Sequence, residues 1–541
     1  MKNITFFLLL LLPTIIFAQA TLKPQSLYKV KSGTPYPVID AKEKYYFSFE
    51  DDILMIKITK KNIYLQKYNT STEKQVKVKI LPALEKRAYT EKLIKLNNKI
   101  YLFYSLYDKK NIIEQLFYRE INPVNLSMGS SKKIISVKDK ITGHYTGSNW
   151  FNMHVEGKFN IYSSFNKSKF VVQYRKRPKE RKDKINHDVI GIFVFDKEFN
   201  KIWGKEIKMP YTEAKMNNID YQVDDKGIVY LLAEVYNTDV VKKYIHDTKN
   251  YHLELLKIDN GALETIKLDE GKNNITDAWM YDGPKGNIYL SGFYSKDKYW
   301  NKADGVFLIK ILDDGTVENT EYYEIPLSVL NMYQKERTQK KNKKKKNKGK
   351  LDFENLELRE VHVQSDGSII IIGEQHYIIE HTYTDSKGNT HTTYTYYYND
   401  ILVTKIAKDG ELAWMKKLPK SQRGGAGLGG MSFKYIKQGN YHYFFYLDNI
   451  KNIDLPTNKR PAFHMDGKGG IYTAYRLDDE TGEVKKTSIL DFANVKINGY
   501  KKPQKLYQFS KTRVFKTSQG VVFEAYKKKK EDVMIRIDIN D

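Results

Sequence analysis

Apolar residues recur along this chain in short runs, each entered through a turn of Gly, Asn or Asp. Such runs stand at "DDKGIVYLLAE" (224–234), "PKGNIYLSGF" (284–293), "SDGSIIIIGE" (365–374) and "SQGVVFEAY" (518–526). After a polar connection of variable length comes a second β-rich run, an acidic-glycine turn and a final strand. Examples are "ADGVFLIKILDDGTVENTEYYEIP" (303–326), "NDILVTKIAKDGELAWMKKLP" (399–419) and "YHLELLKIDNGALETIKL" (251–268). The period-two alternation in "FLIKIL" and "LVTKIA" predicts strands with a buried face, and "DDGT", "KDGE" and "DNGA" supply the positive φ of tight hairpins. No stretch between these units sustains a helical period, so the chain is expected to be all-β.

Eight units emerge, centred on 44–80, 91–134, 158–208, 217–268, 274–326, 357–418, 431–490 and 506–541. Their mean repeat of roughly 65 residues exceeds the about 40–50 of common propeller repeats. Four strands per unit predict a β-propeller, which repeats small antiparallel sheets radially and leaves only short edges. Eight blades are expected, with seven as the alternative because the first unit has the weakest pattern. The last unit, ending "VMIRIDIND", is one strand short, and the N-terminal "TLKPQSLYKV" (21–30) is expected to supply that strand and close the ring. One propeller domain over 21–541 follows, interrupted by a lysine-rich insertion at 332–352. Within it "QKKNKKKKNKGK" (339–350) has eight lysines in its last eleven residues. Like charge at that density repels itself, so this insertion is expected to be disordered. Two further basic stretches are "RKRPKERKDK" (175–184), between two strands, and "KKKK" (527–530), at a hairpin tip.

The first 20 residues read as a signal peptide. Lys2 gives a positive start, 6–17 an apolar run, and Ala18-Gln19-Ala20 a small-x-small cleavage site. Cleavage after Ala20 would leave Thr21–Asp541, with no later stretch of transmembrane length, so a periplasmic or extracellular, outer-membrane-associated location is expected. The absence of cysteine excludes disulfides, thiolate metal sites, a cysteine nucleophile and a lipidated cysteine. A net charge of +26 invites a nucleic-acid reading, yet only 12 of the 91 basic residues are arginine and the lysines are spread over the chain. Nucleic acid is therefore disfavoured as a partner, while a polyanionic surface polysaccharide or lipid remains compatible with the charge.

Candidate chemistry is sparse. In "EQHYIIEHTYTDSKGNTHTTYTYYYND" (374–400), His381 and His391 flank a hairpin turn and His376 lies further down, a pattern that could offer imidazoles to zinc or copper. A closed structural site needs four ligands, so an exposed Thr/Tyr/His hairpin whose tyrosines could face a sugar is the plainer expectation. The glycine-rich "RGGAGLGGMSF" (423–433) lacks the Gly-Lys-Ser/Thr ending of a phosphate loop and leads toward a strand. Neither a G-x-S-x-G elbow nor an H-E-x-x-H helix occurs.

The segments "KDGELAWMKKL" (Trp414) and "KEFNKIWGKEI" (Trp203) resemble the D-x-x-G-x-x-x-W end strand of quinoprotein-type eight-bladed propellers. In that family the Trp docks neighbouring blades, which implies a structural role for Trp203 and Trp414. The resemblance covers two units; others place Thr320 or Ile266 near that position. The quinoprotein alcohol dehydrogenases use an adjacent cysteine pair beside their cofactor, so no such cofactor is expected in this cysteine-free chain. As a whole the chain is similar to large exported propeller-like proteins of bacteria. The expectation is a non-catalytic binding or scaffolding propeller at the cell envelope, with an envelope protein or polysaccharide as partner. The rival is a carbohydrate-active enzyme at the channel mouth, needing two carboxylates roughly 5–10 Å apart and aromatic platforms, for which Trp279, Tyr299 and Trp300 are the candidates. A third possibility is adhesion to polyanions through the lysine-rich segments.

Overall fold

The computed structural model describes residues 22, 26–146, 154–178, 180, 184–268, 271, 273–298, 301–318, 320–347, 353–425, 429–467, 469–507 and 510–540. The proposed signal peptide, Tyr299 and Trp300 lie outside these residues. Within them, eight sheets of four or more strands follow one another along the chain, antiparallel apart from the parallel pairing of Gln422–Gly424 with His464–Met465 at the edge of the sixth. Sheet I spans 43–82, II 89–138, III 160–212, IV 216–267, V 274–324, VI 356–418 and VII 434–491. Sheet VIII joins 514–539 to a strand from the other end of the chain, Tyr28–Ser32, with Tyr28 opposite Ile539 and Ser32 opposite Ile535. The fold is thus a propeller-like succession of small sheets.

The four isoleucines of 369–372 show how the sheets stack. Successive strand residues point to opposite faces, so Ile369 and Ile371 enter the apolar cluster shared by sheets V and VI, while Ile370 and Ile372 enter the one shared by VI and VII. All four are at most 1% exposed. A strand with a neighbour on each face needs no polar face, which explains continuous apolar runs where one-sided burial predicts alternation. Gly367 (φ 91°) and Gly410 (φ 90°) make the turns that open and close this unit, in the left-handed region where a Cβ is costly.

The same arrangement recurs between each consecutive pair. Separate clusters join I to II, II to III, III to IV, IV to V, V to VI, VI to VII and VII to VIII. A further cluster of Tyr36, Ile53, Met55, Tyr68, Val522 and Met534 joins VIII to I. Tryptophans cross two of these seams. Trp203 Nε1 of sheet III donates to the Gly227 carbonyl of sheet IV at 3.1 Å, and Trp414 Nε1 of sheet VI to the Asp479 carbonyl of VII at 3.0 Å.

The VIII–I seam also holds a buried ionic group. Lys57 Nζ lies 2.6 Å from Glu524 Oε1 and 3.7 Å from Asp532 Oδ2. Tyr36 and Tyr46 donate their hydroxyls to the two Glu524 oxygens at 2.8 and 2.6 Å. Burial and then the Glu524 charge push Asp532 up to about 6, against the pull of Lys57. The native state therefore binds the Asp532 proton more tightly than an unfolded chain with a pKa of about 3.9. The stabilising contribution of that proton is complete below about pH 4 and is lost as pH rises through about 6. Asp532→Asn is expected to match the parent protein at pH 4 and to exceed it by roughly 1–3 kcal/mol at pH 8, measured by urea denaturation at both pH values. A variant less stable than the parent at pH 8 contradicts this.

Part of the insertion is helical where disorder is expected: Glu336–Asn347 forms helix α2, preceded outside the insertion by helix α1, Leu327–Asn331, while 348–352 lie outside the described residues. Lys, Glu, Gln and Arg are all good helix formers, and Asn342 Nδ2 donates to Asn331 Oδ1 at 2.8 Å, tying α2 to α1. Charge density alone argued for disorder; helix propensity and this polar tie act against it.

Candidate ligand-binding site

Sheet VI carries the longest hairpin, Ile369–Thr384 with Thr390–Ile406. Its base is buried in the sheet and its outer half projects into solvent, exposing Ile378, Ile379, Tyr383 and Tyr394. The hairpin base, helices α1 and α2, and the chain around 460–463 enclose a cavity of about 380 Å³. This lies toward the lower end of the about 300–1,000 Å³ usual for small-molecule sites.

The cavity is built over buried charges. Asp400, at the second hairpin strand, accepts hydrogen bonds from the Tyr333 hydroxyl and, at 3.2 Å, from the Lys420 backbone amide. Tyr333 sits just past α1 at a positive φ of 53°, which bends the chain back over the sheet. Lys417 Nζ lies 3.9 Å from Asp400 Oδ2, 4.5 Å from the centre of the Tyr333 ring, and 3.4 Å from the carbonyls of Leu330 and Met332. Burial raises the Asp400 pKa, partly offset by Lys417 and by the Tyr333 hydrogen bond, and burial lowers that of Lys417 against the pull of Asp400.

Behind this lies a second buried pair. Lys420 Nζ, wholly buried, is 2.8 Å from Glu374 Oε1 and donates to the Tyr398 carbonyl at 2.8 Å and Gln422 Oε1 at 3.1 Å. Glu374 Oε2 accepts from Arg359 Nε at 3.0 Å and from the Ser432 hydroxyl at 2.7 Å. Burial works against ionising Glu374, but Lys420 and Arg359 outweigh it and hold the carboxyl below its usual range. Ser432 leads into sheet VII, so this network fixes the cavity floor to the VI–VII seam.

The remaining lining is polar and aromatic. Tyr377, Asn399, Ser421, Gln375 and Asn342 share the wall with Phe353 and Phe463. Asn399 Nδ2 is 3.4 Å from the Tyr377 hydroxyl, while its buried Oδ1 has no hydrogen-bond partner among the described residues. A buried acceptor without a partner costs about 1–3 kcal/mol, and a small shift of the Asn399 side chain toward the cavity would let a ligand hydroxyl relieve that deficit. Cavity, shifted proton affinities and convergent polar groups coincide here, the combination that marks a binding or catalytic site.

The residues singled out from sequence fall largely elsewhere. His376 Nδ1 pairs with Glu357 Oε1 at 2.9 Å and its ring packs 4.4 Å from Tyr398. His391 pairs with Asp385 at 2.8 Å and stacks on Tyr383, while His381 lies opposite Thr393. By this register His376 points to the opposite hairpin face from His381 and His391. Among the described residues, no group of three or more His, Cys, Asp or Glu is placed to hold a metal ion. Trp279 packs beside Tyr281 against the V–VI cluster and is not part of the cavity wall. The described parts of the three basic stretches stand on sheet III, on the insertion between V and VI, and on sheet VIII. Tyr333, Asp400, Lys417, Lys420 and Arg460 escaped sequence reading. The one available signal was the excess length of the sixth unit.

No family model matches the chain, and no curated protein does. Solved structures that match include the polysaccharide lyase Uly1, at 10% identity over 97% of this chain and 94% of that one, with a TM-score of 0.38. The β-propeller domain of the Trilobed protease from Pyrococcus furiosus matches at 12% identity over 83% and 97%, TM-score 0.33. A prolyl endopeptidase matches at 8% identity, TM-score 0.39, where 92% of this chain covers 55% of that one.

Proposed function

We propose that this protein is an exported, non-catalytic binding propeller of the bacterial cell envelope, a closed ring of eight blades whose cavity on the sixth blade takes a hydroxyl-rich, saccharide-type ligand. Support for the ring comes from the eight inter-sheet clusters, the last of which joins VIII to I, and from the N-terminal strand completing sheet VIII. Support for export comes from the charged, apolar and small-x-small order of the first 20 residues. The observation that carries the binding role is the polar cavity itself, with Asn399 Oδ1 unpaired beside Tyr377 and Phe463. Aromatic rings offer an apolar face to a sugar ring, and the amides and hydroxyls bond its hydroxyls.

The test is calorimetric titration of Thr21–Asp541 with a panel of envelope and extracellular oligosaccharides. Saturable binding that weakens in Asn399→Ala is the expected result. Absence of binding across the panel overturns the proposal.

A second reading, a carbohydrate-active enzyme, is favoured by one observation: two carboxylates, Glu354 and Asp400, line the same cavity. It predicts release of new saccharide ends from a bound polymer, abolished in Asp400→Asn. Bound polymer recovered intact excludes it.

A further inference from the structure

Helix α2 has no apolar face, yet one side of it is half-buried. Thr338, Asn342 and Lys345, spaced four and three apart, share a face and line the cavity. All three are half-buried, while Lys340, Lys341, Lys343, Lys344 and Lys346 are exposed. The helix therefore rests on the protein through a polar stripe that ends in a lysine. Beneath that stripe are two more ammonium groups, Lys417 and Lys420. Placing a lysine-rich helix over buried cations is unfavourable by like-charge repulsion unless negative charge lies between them.

The protein supplies only part of that charge. Lys420 is taken up by Glu374 and Lys417 by Asp400. Of the lining residues, Lys345 and Arg460 then face Glu354 alone, two positive charges against one negative. Neither Lys345 nor Arg460 has an ion-pair partner among the described residues. Arg460 also acts electrostatically on both Tyr333 and Tyr377, opposing the rise that burial imposes on each hydroxyl. Arg460, Tyr333 and Tyr377 all line the cavity.

We infer that the ligand of this cavity is an acidic saccharide, its carboxylate or sulfate held between Arg460 and Lys345 and its hydroxyls by Asn399, Asn342 and Tyr377. The inference rests on the cavity being a saccharide site. A planar guanidinium binds carboxylate or sulfate through two parallel hydrogen bonds, and the ammonium of Lys345 on α2 adds a second charge to the same lining. The lysine-rich insertion, under this assignment, is one wall of a selective site.

The test compares three probes on Thr21–Asp541: a uronate oligosaccharide, a sulfated oligosaccharide, and a neutral one of the same ring number. At least one acidic probe is expected to bind at least 10-fold more tightly than the neutral one, with affinity falling as salt is raised. Arg460→Ala is expected to weaken the acidic probe about 10- to 100-fold, and Lys345→Ala less, in each case a larger loss than the same variant shows for the neutral probe. Both side chains are at or near the surface, so thermal unfolding of the variants should match the parent and rule out misfolding. Equal affinity for acidic and neutral probes overturns the inference and leaves the saccharide site standing. Absence of binding to all three overturns both. Acidic binding indifferent to both substitutions places the charge elsewhere and also overturns it. Preference between the uronate and sulfated probes identifies the acidic group.

Discussion

Replacing Glu524 by alanine is expected to cost about 3–5 kcal/mol of stability, because it leaves a lysine buried without its partner. The side chains of Lys57 and Glu524 are both 0% exposed. Glu524 also accepts the Tyr36 and Tyr46 hydroxyls, so its loss orphans two further donors. Asp532 compensates only in part, since it lies 3.7 Å from Lys57 where Glu524 lies at 2.6 Å. Burial disfavours ionised Glu524, but Lys57 and the hydrogen bonds from Lys57 and Tyr46 keep its carboxyl below the ordinary range. Its contribution is therefore present above the unfolded pKa of about 4.3 and is lost as pH falls through the depressed native value. Urea denaturation of Glu524→Ala at pH 7 reads the loss directly. The double variant Lys57→Met/Glu524→Leu should recover much of it, because a buried ion pair replaced by packed apolar groups is often neutral. The penalty lands on the seam between the last sheet and the first. If that seam closes a ring, unfolding should stay cooperative and shift as a whole. Loss confined to sheets VIII and I, with the rest melting unchanged, contradicts closure.

Glu374→Ala should be similarly costly, about 3–5 kcal/mol, and should also abolish ligand binding. Glu374 is wholly buried and satisfies Lys420, Arg359 and Ser432 at once. Without it Lys420 keeps only the Tyr398 carbonyl and Gln422 Oε1. A buried ammonium so placed must lose its proton or draw in water, and either outcome displaces the cavity floor. Glu374→Gln is the informative companion, since it keeps the acceptor for Ser432 and removes the charge. Its expected loss is smaller, while acidic-ligand affinity should rise, because one compensating anion has gone from behind the cavity. Measuring both variants by denaturation and calorimetry separates the structural part from the electrostatic part.

The strands were legible because burial in these sheets obeys a short period. Sheets I and VI begin and end within two residues of the units read from alternation and turn chemistry alone. Ile369–Ile372 needed no long-range knowledge to read as buried strand, nor did the glycine turns at 367 and 410. Trp203 and Trp414 were singled out because their segments resemble a known propeller end-strand motif, and each donates a hydrogen bond across a seam. Helix α2 was hidden because nothing apolar marks it; its register is set by Asn342 and by the cavity it covers. The site was hidden for a different reason. Tyr333, Asp400, Lys417 and Arg460 come from four separated stretches and meet only after sheet VI has formed. The histidines, by contrast, were conspicuous in sequence, and local carboxylates, Glu357 and Asp385, already engage two of them.

Hydrogen–deuterium exchange with and without a bound oligosaccharide tests the central claim most directly, because it locates the ligand on the chain. Protection is expected at 327–347, 353–354, 375–377, 398–421 and 460–463, the stretches that line the cavity, with the first strands of sheets I to IV unchanged. Protection spread over those first strands instead, or confined to the exposed hairpin tip around 379–394, would place the ligand elsewhere and contradict the assignment of the cavity.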